Sequence, residues 1–356
     1  MEKIMTDKLI VIGSNSFSGS HFVAGALAKG MDVVGISRSK EQSSVYLPYK
    51  WRNNDGDNRD SNSNRNRNEN KRKAIQHNKF SFFKLDLNND LDAILSLIFD
   101  FRPDYIVNFA AQGMVAESWN APEQWFKTNM LSAVQLHNRL KDCTFLKKFV
   151  QISTPEVYGS CQGDVNESIS YNPSTPYAVS KAGVDMSLMT FFRQYNFPVI
   201  FTRSANVYGP GQQLYRIIPR SILFFLTGKK LELHGGGRSV RAFIHIKDVV
   251  NGTLKAMLYG KPGNIYHFSS SETLSIRSLV KLIAEKTGVS FKDKVTDVDD
   301  RLGKDKAYLL NCSKAYHEFG WKARMSLDNG IEETMGWIKN NLDVLKNEPL
   351  NYIHKP

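Results

Sequence analysis

The sequence predicts an α/β protein, a doubly wound parallel sheet with helices on both faces and a smaller C-terminal lobe. Three observations predict it. Short continuous apolar runs alternate with helix-period stretches, a glycine-bearing turn follows the first run, and after about Ala205 the alternation gives way to irregular, glycine-rich chain. Strands lose their polar alternation when both faces of a sheet are covered, which is the mark of parallel sheets with crossover helices.

Leu9-Ile10-Val11-Ile12 is the first strand, and the pattern from about Ser18 to Lys29 is the first helix. Asp32-Val33-Val34-Gly35-Ile36 and Phe80-Ser81-Phe82-Phe83-Lys84-Leu85 follow as strands, then a helix near Leu91 to Phe99. Tyr105-Ile106-Val107-Asn108-Phe109, Phe149-Val150-Gln151-Ile152 and Pro198-Val199-Ile200-Phe201 complete the series of expected strands. Each is rich in β-branched or aromatic residues, the types that suit a pleated, buried surface. Helical segments at Ile276 to Thr287 and Leu327 to Asn340 place the second lobe. The expected division puts residues 1–203 and about 240–270 in the sheet domain, and about 204–239 with 271–345 in the lobe. No internal repeat interrupts this order.

The 356 residues, 41% hydrophobic and 23% charged, suit a soluble globular chain of one large or two ordinary domains. No apolar run approaches the roughly 20 residues that span a bilayer, and Met1-Glu2-Lys3 leads into a strand without a signal-peptide pattern. A cytoplasmic protein without membrane contact is therefore expected. Cys143, Cys161 and Cys312 are far apart and form no C-x-x-C pair, which fits reduced thiols and no metal site. His21, His137, His234 and His245 likewise lack ligand spacing, and Asp248 reads as a turn anchor.

A net charge of +12 raises the question of a nucleic-acid partner. Part of the excess lies between Arg52 and Lys73, where seven basic residues stand against four acidic ones with no aliphatic or aromatic residue among them. Such a segment cannot bury a core, and a disordered insertion is expected at about 52–78. The folded body stays basic without it. An anionic small molecule suits that charge better than RNA, because no stacking-aromatic motif is present.

The stretch "VIGSNSFSGSHFV" sets Gly13, Ser16 and Gly19 where the first strand hands over to a helix opened by Phe17 and Ser18. Glycine there lets the backbone turn sharply and approach a pyrophosphate resting on the helix N-terminus. Glycine is also the ordinary turn residue; the position after the first strand of an alternating chain is what points to a dinucleotide site. Ser16 stands where a third glycine is usual, and a wider loop is expected. The second strand ends in Ser37 and Arg38 rather than an acid, which suits a 2′-phosphate and favours NADP over NAD; Arg38 may be read equally as a surface residue. Asp86 and Leu87, after the third strand, either bracket an adenine or, for Asp86, cap the next helix.

"KFVQISTPEVYGS" ends a buried strand in Thr154, Pro155 and Glu156, polar groups at the strand mouth where α/β sheets bind ligands. "STPYAVSKAGVDM" supplies Tyr177 and Lys181, four apart on one helix face. An ammonium within about 4–6 Å lowers a phenol's pKa by roughly 1–3 units and makes it a base; the plain alternative is a surface pair.

Together these residues resemble the extended short-chain dehydrogenase/reductase family, with a Rossmann sheet, and within it the nucleotide-sugar 4,6-dehydratases acting on dTDP-glucose or GDP-mannose. "NFAAQGMVAESW" is similar to the family's fourth-strand motif, bringing Ala110, Ala111 and Gln112 to the coenzyme and Met114, Glu117 and Ser118 to the substrate. Asn129 matches a structural asparagine, and Asn206 in "SANVYGPGQQ" a diphosphate contact, followed by Gln213 and Arg216. Arg241 and Arg301 look like the arginines that grip the sugar-nucleotide diphosphate, a task that suits the guanidinium fork.

The resemblance implies that Tyr177 takes the sugar 4-hydroxyl proton with Thr154 beside it, and that Glu156 takes the C5 proton before water leaves C6. Simple epimerases carry a small residue where Glu156 stands. The dTDP-glucose enzymes carry an acidic aspartate where Pro155 stands, so 5,6-dehydration, UDP-glucuronate-type decarboxylation and epimerisation stay open beside 4,6-dehydration. A catalytically silent member binding RNA or protein is the alternative of another class. Homodimers are usual in the family, paired through helices such as those near Leu131 to Leu140 and Tyr177 to Tyr195.

Overall fold

The computed structural model describes residues 6–51, 80–161, 163–299 and 309–355. The insertion expected at about 52–78 and the candidate Arg301 lie outside the described residues.

Strands β1 (Lys8–Ile12), β2 (Asp32–Ser37), β3 (Phe80–Lys84), β4 (Tyr105–Asn108) and β5 (Lys148–Ile152) form within a residue or two of where the apolar runs place them. With Val199–Ser204 and Ile265–Phe268 they make a seven-stranded sheet in the order Ile265–Phe268, Val199–Ser204, β5, β4, β1, β2, β3. Every pairing is parallel. The chain winds outward from β1 to β3 and then returns to the other side of β1. A cleft therefore opens between the carboxyl ends of β1 and β4, at the topological switch point. Ile265–Phe268 was not among the expected strands; only four residues long and carrying His267, it has too little periodicity to announce itself.

Side-chain alternation along β1 shows why both faces are covered. Leu9 and Val11 join one buried cluster with Phe22 and Val23 of the helix Phe17–Ala28. Ile10 and Ile12 join another with Ile94, Ile98, Leu136 and Leu188 on the opposite face. Burying each such aliphatic side chain contributes about 1.5–3 kcal/mol, so neither layer can be removed without exposing half the sheet core.

A third cluster, including Ile222, Leu223, Leu279, Ile283, Ile331 and Ile338, joins helices Ile217–Leu226, Ile276–Thr287 and Leu327–Asn340. The strand Val240–His245 lies between the two regions: Ala242 and Ile244 pack in the first cluster, and Phe243 packs in the third. Asp248 acts as the expected turn anchor, its Oδ2 accepting the N–H groups of Arg324 at 3.0 Å and Met325 at 2.9 Å.

Candidate active site

The turn after β1 is built by three residues. Gly13 has φ +84°, and its N–H donates to the Ile36 carbonyl at 2.7 Å. Ser16 caps the helix Phe17–Ala28: its Oγ accepts from the Gly19 N–H at 3.0 Å and donates to the Gly13 carbonyl at 2.7 Å. Instead of widening the loop, as the sequence led us to expect, Ser16 ties the turn to the helix end. A Cβ on Gly19 would lie 2.2 Å from the Gly13 carbonyl oxygen, and one on Gly13 would lie 2.6 Å from the Ala110 nitrogen. Close backbone approach and a helix N-terminus together fit a pyrophosphate.

A cavity of about 1010 Å³ lies beyond this turn. Ser16, Phe17, Ser18, Arg38, Ala111 and Gln112 line it from the sheet, and Met114, Thr154, Glu156, Tyr177 and Lys181 from the strand mouths and the helix Pro176–Tyr195. Asn206, Gln213, Arg216 and Arg241 line it as well. Gln42, Tyr46, Tyr215, Tyr352 and Lys355 also line it, and no motif pointed to them.

Other candidates stand behind the wall. Ser37 is buried, its Oγ accepting from the Asn15 N–H at 2.9 Å. Ala110 donates its N–H to Asn108 Oδ1 at 3.1 Å. Asn129, on a π-helical turn at Phe126–Leu131, accepts from the Gln112 N–H at 2.7 Å and donates to the Gln112 carbonyl at 3.0 Å and Ser180 Oγ at 2.9 Å. It thus ties the loop after β4 to the helix Pro176–Tyr195, the structural part expected of it. Ser118 is buried and accepts from the Tyr177 N–H at 3.2 Å, so it holds that helix rather than facing the cavity. Glu117 does not line the cavity, and its Oε2 is buried with no hydrogen-bond partner among the described residues.

Asp86 and Leu87 do not reach the cavity. Asp86 Oδ1 accepts from the Asn88 N–H at 3.0 Å in the turn before the helix Leu91–Phe101, whose N-cap position is Asp90. Leu87 packs in the sheet core.

Thr154 is the N-cap of a short 3₁₀ turn, Pro155–Tyr158. Proline suits the first position of such a turn because its missing N–H has no partner to lose there. The turn folds Glu156 back, and Thr154 Oγ1 donates to Glu156 Oε2. Tyr177 and Lys181 lie on a helix capped by Thr175, whose Oγ1 accepts from the Ala178 N–H at 3.2 Å. Lys181 donates Nζ to the Ile152 carbonyl at 2.6 Å.

The Tyr177 phenol is pushed up, not down. Burial is the largest cause and the Glu156 carboxylate the next, while a hydrogen bond with Thr154 and the Arg216 guanidinium oppose them. Lys181 is itself pushed down to about 8, by burial first, against Asp185 and Glu156. The expectation that the ammonium makes Tyr177 acidic therefore does not hold, because burial of the phenol and the Glu156 carboxylate outweigh the groups that oppose them.

One turn past Lys181, Asp185 is fully buried and pairs with buried Arg203 at 2.9 Å; Ser153 Oγ also donates to its Oδ2. The spacing Tyr177, Lys181, Asp185 is legible on a helical wheel, but its partner Arg203 lies on the strand Val199–Ser204 and is not. Among the described residues no group of three or more His, Cys, Asp or Glu side chains is placed to hold a metal ion, and no helix is long and apolar enough to cross a membrane.

The family described as GDP-mannose 4,6 dehydratase matches residues 10–334. The chain belongs to that family. A dTDP-glucose 4,6-dehydratase of Streptomyces antibioticus is 35% identical over 240 residues, 67% of this chain and 71% of that one. A trifunctional Arabidopsis thaliana protein, named as UDP-glucose 4,6-dehydratase, 3,5-epimerase and reductase, is 31% identical over 266 residues. That match spans 74% of this chain but 40% of the plant protein's length. The solved dTDP-glucose 4,6-dehydratase of Streptomyces venezuelae, with NAD bound, superposes with a TM-score of 0.80 at 28% identity, covering 94% of this chain and 98% of that one. The GDP-mannose 4,6 dehydratase match contains every cavity residue named above except Tyr352 and Lys355, which follow it.

Proposed function

We propose that the chain is an NDP-hexose 4,6-dehydratase that yields a 4-keto-6-deoxy sugar nucleotide. The observation that carries this reading is the gathering of Thr154, Glu156, Tyr177 and Lys181 with Arg216 and Arg241 in the lining of a single cavity. A wall of guanidinium groups suits a diphosphate. Residues about 204–239 and 271–345 serve as the sugar-nucleotide lobe, and the sheet domain serves the coenzyme.

The coenzyme is NAD, as in the Streptomyces venezuelae relative. Ser16, Phe17 and Ser18 hold it, while Arg38, read from the sequence as a 2′-phosphate ligand, and Gln112 line the same cavity and both donate to the Lys355 carbonyl, at 2.9 and 2.8 Å. When bound, the coenzyme would supply acceptance of the hydride from the sugar C4, its return to C6 and, oxidised, a positive charge. Burial and Glu156 favour the neutral phenol of Tyr177, and Thr154 and Arg216 oppose them. Further positive charge in the cavity would act in the same direction as Arg216 and favour loss of the phenol proton to solvent, leaving the phenolate as the base. Its Oη takes the proton of the sugar 4-hydroxyl, with Thr154 hydrogen-bonded alongside. Glu156 takes the C5 proton made acidic by the 4-ketone and passes it to the departing C6 hydroxyl, so that water leaves; once C6 has regained the hydride, C5 takes a proton from solvent and the 4-keto-6-deoxy sugar results. Pro155 has no proton to give, and Glu156 then does the work of both base and acid.

A panel of dTDP-glucose, GDP-mannose, UDP-glucose and UDP-glucuronate tests the reading by mass. Loss of one water supports it, while loss of CO2 or an unchanged mass from every substrate accepted overturns it. Glu156→Gln is expected to slow water release by about 10²–10⁴-fold, the usual contribution of a positioned acid–base group. Full-speed release by that variant would remove Glu156 from the mechanism.

The family relationship also supports a homodimer paired through the helices Ser132–Leu140 and Pro176–Tyr195. Leu131, Val179 and Met186, exposed at 55%, 41% and 49%, are apolar groups that a second copy would cover. Sedimentation of the wild type and of Met186→Lys tests this, with a shift to monomer expected in the variant.

A further inference from the structure

The chain beyond the helix Leu342–Leu345 does not leave the molecule. It crosses the cleft from the lobe to the sheet domain. Arg220 donates to the Leu350 carbonyl at 3.4 Å, and the Tyr352 ring meets Tyr215 edge-on at 5.5 Å. The His354 ring then stacks on Trp125 at 5.2 Å and 5°, with Nε2 2.6 Å from Gln124 Oε1. Finally the Lys355 carbonyl accepts from both Arg38 Nη2 at 2.9 Å and Gln112 Nε2 at 2.8 Å.

Arg38 follows β2 and Gln112 follows β4, and β1 lies between those strands. One carbonyl bonded to both therefore spans the groove over the turn that follows β1. A cavity of about 1010 Å³ remains, lined both by Ser16, Phe17 and Ser18 and by Tyr352, Ile353 and Lys355. That space is of the size that binding pockets have.

We propose that residues 350–355 are a strap that closes over the bound dinucleotide and slows its release. The inference rests on the dehydratase reading in one respect: a reaction that must return its hydride gains from a coenzyme held through both halves of the cycle. A segment that competed for the groove would fill it, whereas this one lines it and leaves about 1010 Å³ open.

The test needs no sugar nucleotide. The rate of NADH release is measured by displacement with excess NAD, following NADH fluorescence, for the wild type, a chain ending at Asn347 and the full-length double variant Tyr352→Ala, His354→Ala. Truncation is expected to raise the release rate by about tenfold or more, the equivalent of about 1.4 kcal/mol of lost contact, and the double variant by about threefold. An unchanged rate overturns the strap. Slower release from the truncated chain overturns it too, since the tail would then be a competitor. If the truncated chain fails to fold, the double variant decides. Faster release in a protein that dehydrates no sugar nucleotide would sink the dehydratase reading and leave the strap standing.

Discussion

Asp185 and Lys181 share one helix face and carry opposite burdens. Asp185 is held by Arg203 and Ser153 in a fully buried site, so Asp185→Asn strands a guanidinium with no countercharge. Removing one partner of such a pair costs roughly 3–5 kcal/mol. Urea unfolding is expected to show a loss of that size, and the double variant Asp185→Asn, Arg203→Met to recover part of it. Equal losses in single and double variants would mean that the pair is not the cause. Lys181 has a folded pKa near 8, below its usual 10.5, because burial disfavours its charge. The unfolded chain then binds more protons between those values, and the stability contribution of Lys181 rises with pH across about 8 to 10.5. Lys181→Met should accordingly be more stable than the wild type at pH 7, with the gap closing as pH rises through that window. A constant gap from pH 7 to 10.5 would refute the buried-charge account.

Among the elements, the turn from β1 into the helix Phe17–Ala28 leaves little room. Its Gly19 lies where a Cβ would meet the Gly13 carbonyl oxygen at 2.2 Å, backbone that cannot swing aside. Gly19→Ala is expected to lower the melting temperature and to weaken NADH binding by at least about tenfold, both read by titration and thermal melts. Tight NADH binding by that variant would show that the helix end does not hold the pyrophosphate. The 3₁₀ turn Pro155–Tyr158 works on the same logic in reverse. Proline is accepted at its first position, and the turn carries Glu156 to the cavity whatever precedes it.

At the scale of the whole molecule, buried His137, His245 and His267 and partly buried His21 tie the fold to neutral pH. His21, His137 and His245 are pushed down to about 4 and His267 to about 3, in each case chiefly by burial. His267 hydrogen-bonds Tyr158 Oη at 2.7 Å and feels Arg203 and Lys314, while His21 feels His245, Lys247 and Glu333. Each stays neutral in the fold and charges in the unfolded chain below about pH 6.5. Their combined stability is therefore present above that pH and is lost as pH falls toward 4. Urea midpoints at pH 7.5 and 5 should differ accordingly, and His137→Gln should reduce the difference.

The six expected strands, the nucleotide turn and the Tyr177–Lys181 pair could be read from the chain because each is local: burial on both faces writes a continuous apolar run, a tight turn demands glycine, and helix geometry sets a spacing of four. The short strand Ile265–Phe268, the Arg203 partner of Asp185 and the C-terminal crossing left no such mark. They depend on residues between 18 and 317 positions apart meeting in space. Whether Lys181 makes Tyr177 acidic was likewise beyond the spacing, since a phenol's proton affinity follows the water it has lost and the charges it faces. Those follow from how the sheet, the helix Pro176–Tyr195 and the lobe close around one cavity.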